Sequence, residues 1–237
     1  MVGFRGLMAA MREAIVAAGA GSDSADCGPA GSAPITISVP AGTYELSSGQ
    51  LTVGAGANIV IVGANTNAPA QTTIDAKGHS RVFEIASGAQ VKLSALRITG
   101  GQTQAGTDGV SPGQSGGFGA NGGGILNSGV LTLERVWVQE NFTGHGGRGV
   151  DGDQPAASSY RYGQGGGSGG GGIYNGSGAS LTVTASKISD NGTGDGGNGG
   201  NGAAVAGSGS GNFPTAPMAA TAGPPAAVAA SSTPAAP

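Results

Sequence analysis

Charge is scarce in this chain of 237 residues: 10 are Lys or Arg and 13 Asp or Glu, so 10% are charged, against roughly 25% in an average globular domain. The net charge of −3 comes with no basic block, which excludes an electrostatic footprint for nucleic acid. Aromatic residues make up 4%, too few for base-stacking platforms. A single cysteine, Cys27, excludes an internal disulfide. No stretch reaches the ~20 consecutive apolar residues needed for a membrane-spanning helix. The first twenty residues do not make a secretion leader either. Arg12 and Glu13 break their apolar run, and no small-residue cleavage site follows. Few charges beside 51 glycines suit a repetitive β-structure with uncharged turns and not a helical enzyme.

What the chain does have is one pattern written three times. Val91, Leu93, Leu96 and Ile98 recur as Leu131, Leu133, Val136 and Val138, and again as Leu181, Val183, Ser186 and Ile188. A glycine-rich insertion follows each copy. Without the insertions each unit is roughly 22 residues, the length of one coil of a stacked β-solenoid. Alternate residues of a strand face the same way, so these positions predict aliphatic columns running through successive coils. Asn127 over Asn175, and Asn141 over Asn191, fall at the turns and predict stacked asparagines. Earlier runs, Ile35–Val39, Leu51–Val53 and Asn58–Val62, predict two further, less regular coils.

Residues 7–18 are strong helix formers stopped by Gly19. Leu7, Met11, Ala14, Ile15 and Ala18 share a face, which predicts a helix covering the apolar end of the first coil. The expected organisation is a capping helix and connector over 1–34, parallel β-structure over 35–193, and a Gly-rich then Ala/Pro-rich disordered tail over 194–237. Within the β region, insertions run from about 100 to 123 and 144 to 171. They leave one corner and project from one side. Glycine this dense predicts flexible or polyglycine-type excursions, not a packed core of their own. The last coil has no recognisable cap, so its unpaired strands predict end-to-end association.

The segments Gly122–Leu133 and Gly171–Val183 resemble the repeats of bacterial right-handed parallel β-helix proteins. These are secreted polymorphic-outer-membrane-type and autotransported surface proteins of the pectin-lyase-like superfamily. Ala9–Ile15 followed by Val39–Leu46 resembles the CSLREA-type amino-terminal cap, with Ala9 where that motif has a cysteine. The resemblance touches residues 7–191, about three quarters of the chain. It implies an all-β right-handed parallel β-helix and an extracellular or cell-surface location. The implied role is a non-enzymatic scaffold for adhesion or recognition of a glycan or surface protein, in a piece of a longer protein. The alternative is a polysaccharide-binding module, lyase or hydrolase, because the same solenoid hosts lyases, hydrolases and inert stalks.

In enzymes of that superfamily the strand before the insertions lines the sugar groove. Here it carries Arg97, Trp137 and Lys187 in one column, with Thr99, Gln139 and Ser189 in the next. An indole between two cations is a platform for a sugar ring; equally, an exposed indole is shielded by its neighbours' aliphatic stems. A lyase would use Arg97 or Lys187 as base, with Glu140 and Asp190 on calcium. Gly144-His145-Gly146 matches a polygalacturonase-type triplet but lacks the paired aspartates of glycoside hydrolysis. The run Gly146–Asp153 nearly matches a calcium-binding nonapeptide repeat, so Asp151 and Asp153 are the metal candidates, and calcium is the one cofactor the sequence raises. Asn141, Asn175 and Asn191 each open a glycosylation tripeptide, for which stacking is the simpler reading. Cys27 is a passive thiol, and His79 has no catalytic partner nearby in sequence.

Overall fold

The computed structural model describes residues 4–20, 34–152 and 163–201. Among the described residues one α-helix, α1 (Phe4–Ala20), precedes fourteen strands: β1 (Ile35–Val39), β2 (Gly42–Glu45), β3 (Leu51–Val53), β4 (Asn58–Gly63), β5 (Thr72–Asp75), β6 (Phe83–Ile85), β7 (Gln90–Ser94), β8 (Arg97–Thr99), β9 (Ile125–Asn127), β10 (Val130–Glu134), β11 (Trp137–Gln139), β12 (Ile173–Asn175), β13 (Ser180–Thr184) and β14 (Lys187–Ser189). The chain visits three sheets in rotation. Their orders are β1-β4-β7-β10-β13, β2-β5-β8-β11-β14 and β3-β6-β9-β12, and every pairing is parallel. The result is a parallel, solenoid-like stack of five coils.

The predicted columns hold. Leu133 is flanked by Leu93 and Val183, and Val138 by Ile98 and Ile188. The first two coils are in register with the rest, contrary to their irregular sequence: Ile59 and Ile61 pair with Val91 and Leu93, and Tyr44, Ile74 and Ile98 form one column. Parallel strands paired on both edges bury alternate residues, so branched side chains about 4.8 Å apart pack as continuous ladders. The inward residues of all three sheets join one core, in which Leu93, Leu133, Ile74 and Phe83 are fully buried.

Corners repeat as strictly as strands. Ala95, Arg135 and Ala185 take φ of 56°, 53° and 48°; Gly100, Glu140 and Asp190 take 66°, 56° and 57°. Left-handed backbone costs a non-glycine residue roughly 1–2 kcal/mol, and here hydrogen bonds between neighbouring coils, such as Arg135 N to Thr184 O and Glu140 N to Asp190 O, hold it. The asparagine stacks are as expected. Asn141 is fully buried; its Nδ2 donates to Asn191 Oδ1 at 2.9 Å, Gln139 O at 2.8 Å and Ile98 O at 3.1 Å, while its Oδ1 accepts from the Gly101 amide at 2.9 Å. A glycan cannot be attached to that nitrogen in the folded chain. Asn127 Nδ2 donates to Asn175 Oδ1 at 2.6 Å.

The helix begins earlier than the sequence indicated, and buries Met8, Met11, Ala14, Ile15 and Ala18 against the first coil, touching β1, β2, β3 and β4. Arg12 reaches over the edge to donate to the carbonyls of Gly49 and Gln50, and burial lowers the pKa of its guanidinium. Cys27, Asp153 and the tail beyond 201 lie outside the described residues.

Candidate functional site

The insertions overturn the expectation of loops without a core. They leave after β8, β11 and β14 and return before β9 and β12, as outgoing segments 103–110, 143–152 and 192–201 and returning segments 114–122 and 163–171. Outgoing segments stack on one another through Gly106→His145, Gly109→Arg148, Gly146→Asp195 and Gly149→Asn198, each amide-to-carbonyl at 2.8 Å. Returning segments stack through Gly116→Gln164, Gly119→Gly167 and Gly122→Gly170 at 2.8–2.9 Å. Donors recur every third residue. That is the period of polyproline II geometry, which has three residues per turn and no internal hydrogen bonds, leaving all its amides free for neighbours.

A second set of amides joins the two layers. Gly197 donates to Gly166, Gly166 to Gly147, Gly147 to Gly117 and Gly117 to Thr107, at 2.7–2.9 Å, so one hydrogen-bonded line crosses all five segments. Glycine is required because backbone packs on backbone. A Cβ on Gly166 would lie 1.8 Å from the Gly117 carbonyl oxygen, and one on Gly197 1.8 Å from that of Gly147. The slab is a core made of main chain. Residues 194–201 belong to it and not to the tail.

The third direction faces outward and holds the side chains. Gln102, Ala105, Asp108 and Ser111 stand beside Phe142, His145, Arg148 and Asp151, which stand beside Gly192, Asp195, Asn198 and Asn201; all but Gly192 are exposed. Positions along a row are about 9 Å apart, three times the ~3.1 Å rise. Several of these side chains satisfy the outward amide one coil on: Asp108 Oδ1 accepts from Arg148 N at 2.7 Å, His145 Nδ1 from Asp195 N at 2.9 Å, and Asp151 Oδ1 from Asn201 N at 2.7 Å. His145 is thus a lattice residue of the slab, with the Asp195 carboxylate 3.7 Å away. Asp151 spends one oxygen on the lattice, and among the described residues no group of three His, Cys, Asp or Glu side chains is placed to hold a metal.

Arg97, Trp137 and Lys187 do come together as a ridge, in register on the outer face of β8, β11 and β14. Trp137 is half-buried and Lys187 exposed. Arg97 is not the free cation expected of a sugar platform: its Nη2 donates to Glu140 Oε2 at 2.8 Å. Thr99 Oγ1 donates to the same oxygen at 3.1 Å, and Gln139 Nε2 to Ser189 Oγ at 3.2 Å. Glu140 is occupied by Arg97, and Asp190 Oδ2 accepts from Ser189 Oγ at 2.8 Å, so the two acids do not converge. Arg81, which the sequence did not single out, ties the start of β6 to the returning layer. Its guanidinium donates to the carbonyls of Asn121 and Gly122 at 2.8 and 2.9 Å and to Gln50 Oε1 at 3.0 Å. Burial lowers its pKa, with Glu84 acting in the opposite direction.

No protein-family model, curated protein or solved structure matches this chain. Among the described residues, no helix is long and apolar enough to cross a membrane. The class of protein that the coordinates define is therefore a parallel β-stack of solenoid type carrying a glycine slab on one corner.

Proposed function

We propose that the chain is a right-handed parallel β-helix of the pectin-lyase-like kind, working as a non-enzymatic secreted or surface scaffold for recognition of a glycan or surface protein. The observation that supports this is the slab. Its main-chain groups are consumed in building a flat lattice, and its outward positions present Phe142, His145, Arg148 and Asn198 at fixed intervals. A rigid array of that kind binds without paying to order loops. A second reading, polysaccharide binding or cleavage on the ridge, is favoured by Trp137 standing in register between Arg97 and Lys187. Its lyase form is weaker, because Arg97 would have to give up Glu140 to accept a proton.

The test is a glycan array and a surface-protein binding screen with wild type, Arg148→Ala and Trp137→Ala. Loss of binding at least 10-fold with Arg148→Ala alone supports the slab; loss with Trp137→Ala alone supports the ridge. Wild type that binds nothing, or binding that neither substitution lowers, defeats both. The scaffold reading needs no metal, so a chelator is expected to leave binding unchanged. A loss on chelation would instead implicate calcium at Asp151 and Asp153. Release of unsaturated sugar would establish the lyase.

A further inference from the structure

The outgoing segments of the slab meet one need three times. An amide that points outward along a row is accepted by the side chain at the same position one coil earlier. Asp108 Oδ1 takes Arg148 N, Asp151 Oδ1 takes Asn201 N, and His145 Nδ1 takes Asp195 N. Two of these acceptors are carboxylates and one is an imidazole. A carboxylate keeps its accepting oxygens throughout the neutral range. An imidazole that gains a proton has two N–H donors and no acceptor. Histidine is also the side chain whose ordinary change of charge falls between about pH 5 and 8.

We propose that His145 is a proton-operated latch between the outgoing segments of the fourth and fifth coils, and that it sets how Asp195 is presented on the slab face. With Nδ1 bare, the imidazole holds the Asp195 amide at 2.9 Å and leaves the Asp195 carboxylate exposed. A proton on Nδ1 sets N–H against N–H, so the amide is released to water. The new donor then turns to the Asp195 carboxylate, 3.7 Å away. A main-chain link beside a free acid is exchanged for an ion pair, which changes the charge pattern of the face. The surroundings leave the imidazole that one partner. Its neighbour on the third coil is Ala105, which carries no charge. Along its own segment Arg148 stands about 9 Å off and Asp151 about twice as far. Asp108, diagonal to it, is spent on the Arg148 amide. At the corner beyond Phe142, Glu140 is occupied by Arg97 and Asp190 by Ser189. The other ties of this stretch are Gly194 N to Thr143 Oγ1 at 3.1 Å and Gly146 N to Asp195 O at 2.8 Å. Neither involves a titrating group, so the segment stays docked while the latch turns. Any effect on ligand capture rests on the slab being the recognition face; the latch itself rests on geometry alone.

Amide–water exchange of Asp195, read by NMR on the full chain beside its His145→Asn variant, tests this. Asparagine keeps an acceptor at every pH, with the reach by which Asp108 and Asp151 serve the same purpose. The ratio of the wild-type rate to the His145→Asn rate is expected to rise about fivefold between pH 8 and pH 5, the factor that one net hydrogen bond is worth. Nitrogen shifts of the wild-type imidazole are expected to show Nδ1 unprotonated at pH 8. His145→Ala is expected to exchange fast at both values. The substitutions fall on an exposed side chain and are expected to leave the coils folded. A ratio that stays flat or falls with acid, a protected amide in His145→Ala, or a protonated Nδ1 at pH 8 would each overturn the latch. None of these readouts needs a ligand, so a slab that captures nothing in the binding screen leaves them standing.

Discussion

Gly166→Ala is the substitution that most exposes how the slab is built. Gly166 donates to the Gly147 carbonyl at 2.8 Å and accepts from the Gly197 amide at 2.7 Å. The new methyl would sit 1.8 Å from Gly117 O and 2.5 Å from Gly117 C, so the layers must part by more than 1 Å to reach the ~3 Å that real contacts tolerate. Parting breaks both hydrogen bonds, worth about 1 kcal/mol each, and adds an overpacking cost of roughly 1–3 kcal/mol. The expected loss is about 3–5 kcal/mol, a large share of the roughly 5–15 kcal/mol that holds a typical domain together. Urea unfolding followed by circular dichroism and by Trp137 fluorescence measures it. If the slab opens before the coils, the two probes separate and the loss falls on the earlier transition. Asn198→Ala, next to Gly197 on the exposed face, is the control and is expected to stay within about 0.5 kcal/mol. If Gly166→Ala is as mild as the control, backbone-on-backbone packing is not what holds the insertions.

Other expectations follow the same physics. Leu133→Ala removes a fully buried ladder residue and should cost about 2–5 kcal/mol in the same denaturation experiment. Asn141→Leu leaves the Gly101 amide unpaired in the interior, at about 1–3 kcal/mol, takes a donor from the Ile98 and Gln139 carbonyls, and should lower the melting temperature more than Asn175→Leu does. Ala185→Gly, exposed and at φ 48°, relieves left-handed strain and should leave stability equal to or above wild type in a thermal melt. The Glu134 carboxyl is held below its ordinary value first by its hydrogen bond from Lys92 at 2.6 Å and then by the charges of Lys92 and Arg135. A depressed carboxyl pKa favours the folded chain above the group's ordinary value, and that contribution disappears as pH falls through the lower folded value. Lys92→Met should therefore lower stability slightly at neutral pH, where the contribution is fully present, and converge with wild type in acid, which flattens the acid side of the stability–pH profile.

The coils were legible because side chains write them. Leu93, Leu133 and Val183 sit at one offset from the turn in each copy, and a two-residue period fixes which way they point. Asn127 and Asn141 announced the turns for the same reason. The slab was hidden because its packing partners are carbonyl oxygens, which no residue letter records. Its trace was present in the period of three: Gly106 and Gly109, then Gly146, Gly149 and Gly152, with His145, Arg148 and Asp151 lying 50 residues before Asp195, Asn198 and Asn201, the same offset as the last two coils. The ridge was foreseen in its register but not in its chemistry. The bond from Arg97 to Glu140 depends on the left-handed corner at Glu140, and that conformation is imposed by stacking, not by the glutamate itself.

Native-state amide exchange, resolved residue by residue, examines the glycine lattice most directly. The account predicts that the amides of Gly106, Gly117, Gly146, Gly147, Gly166 and Gly197 exchange slowly, within about tenfold of the core amides of Leu133 and Val138, although their segments contain no helix or strand. Exchange of those glycine amides at the rate of an unstructured chain, with the strand amides still protected, would contradict it.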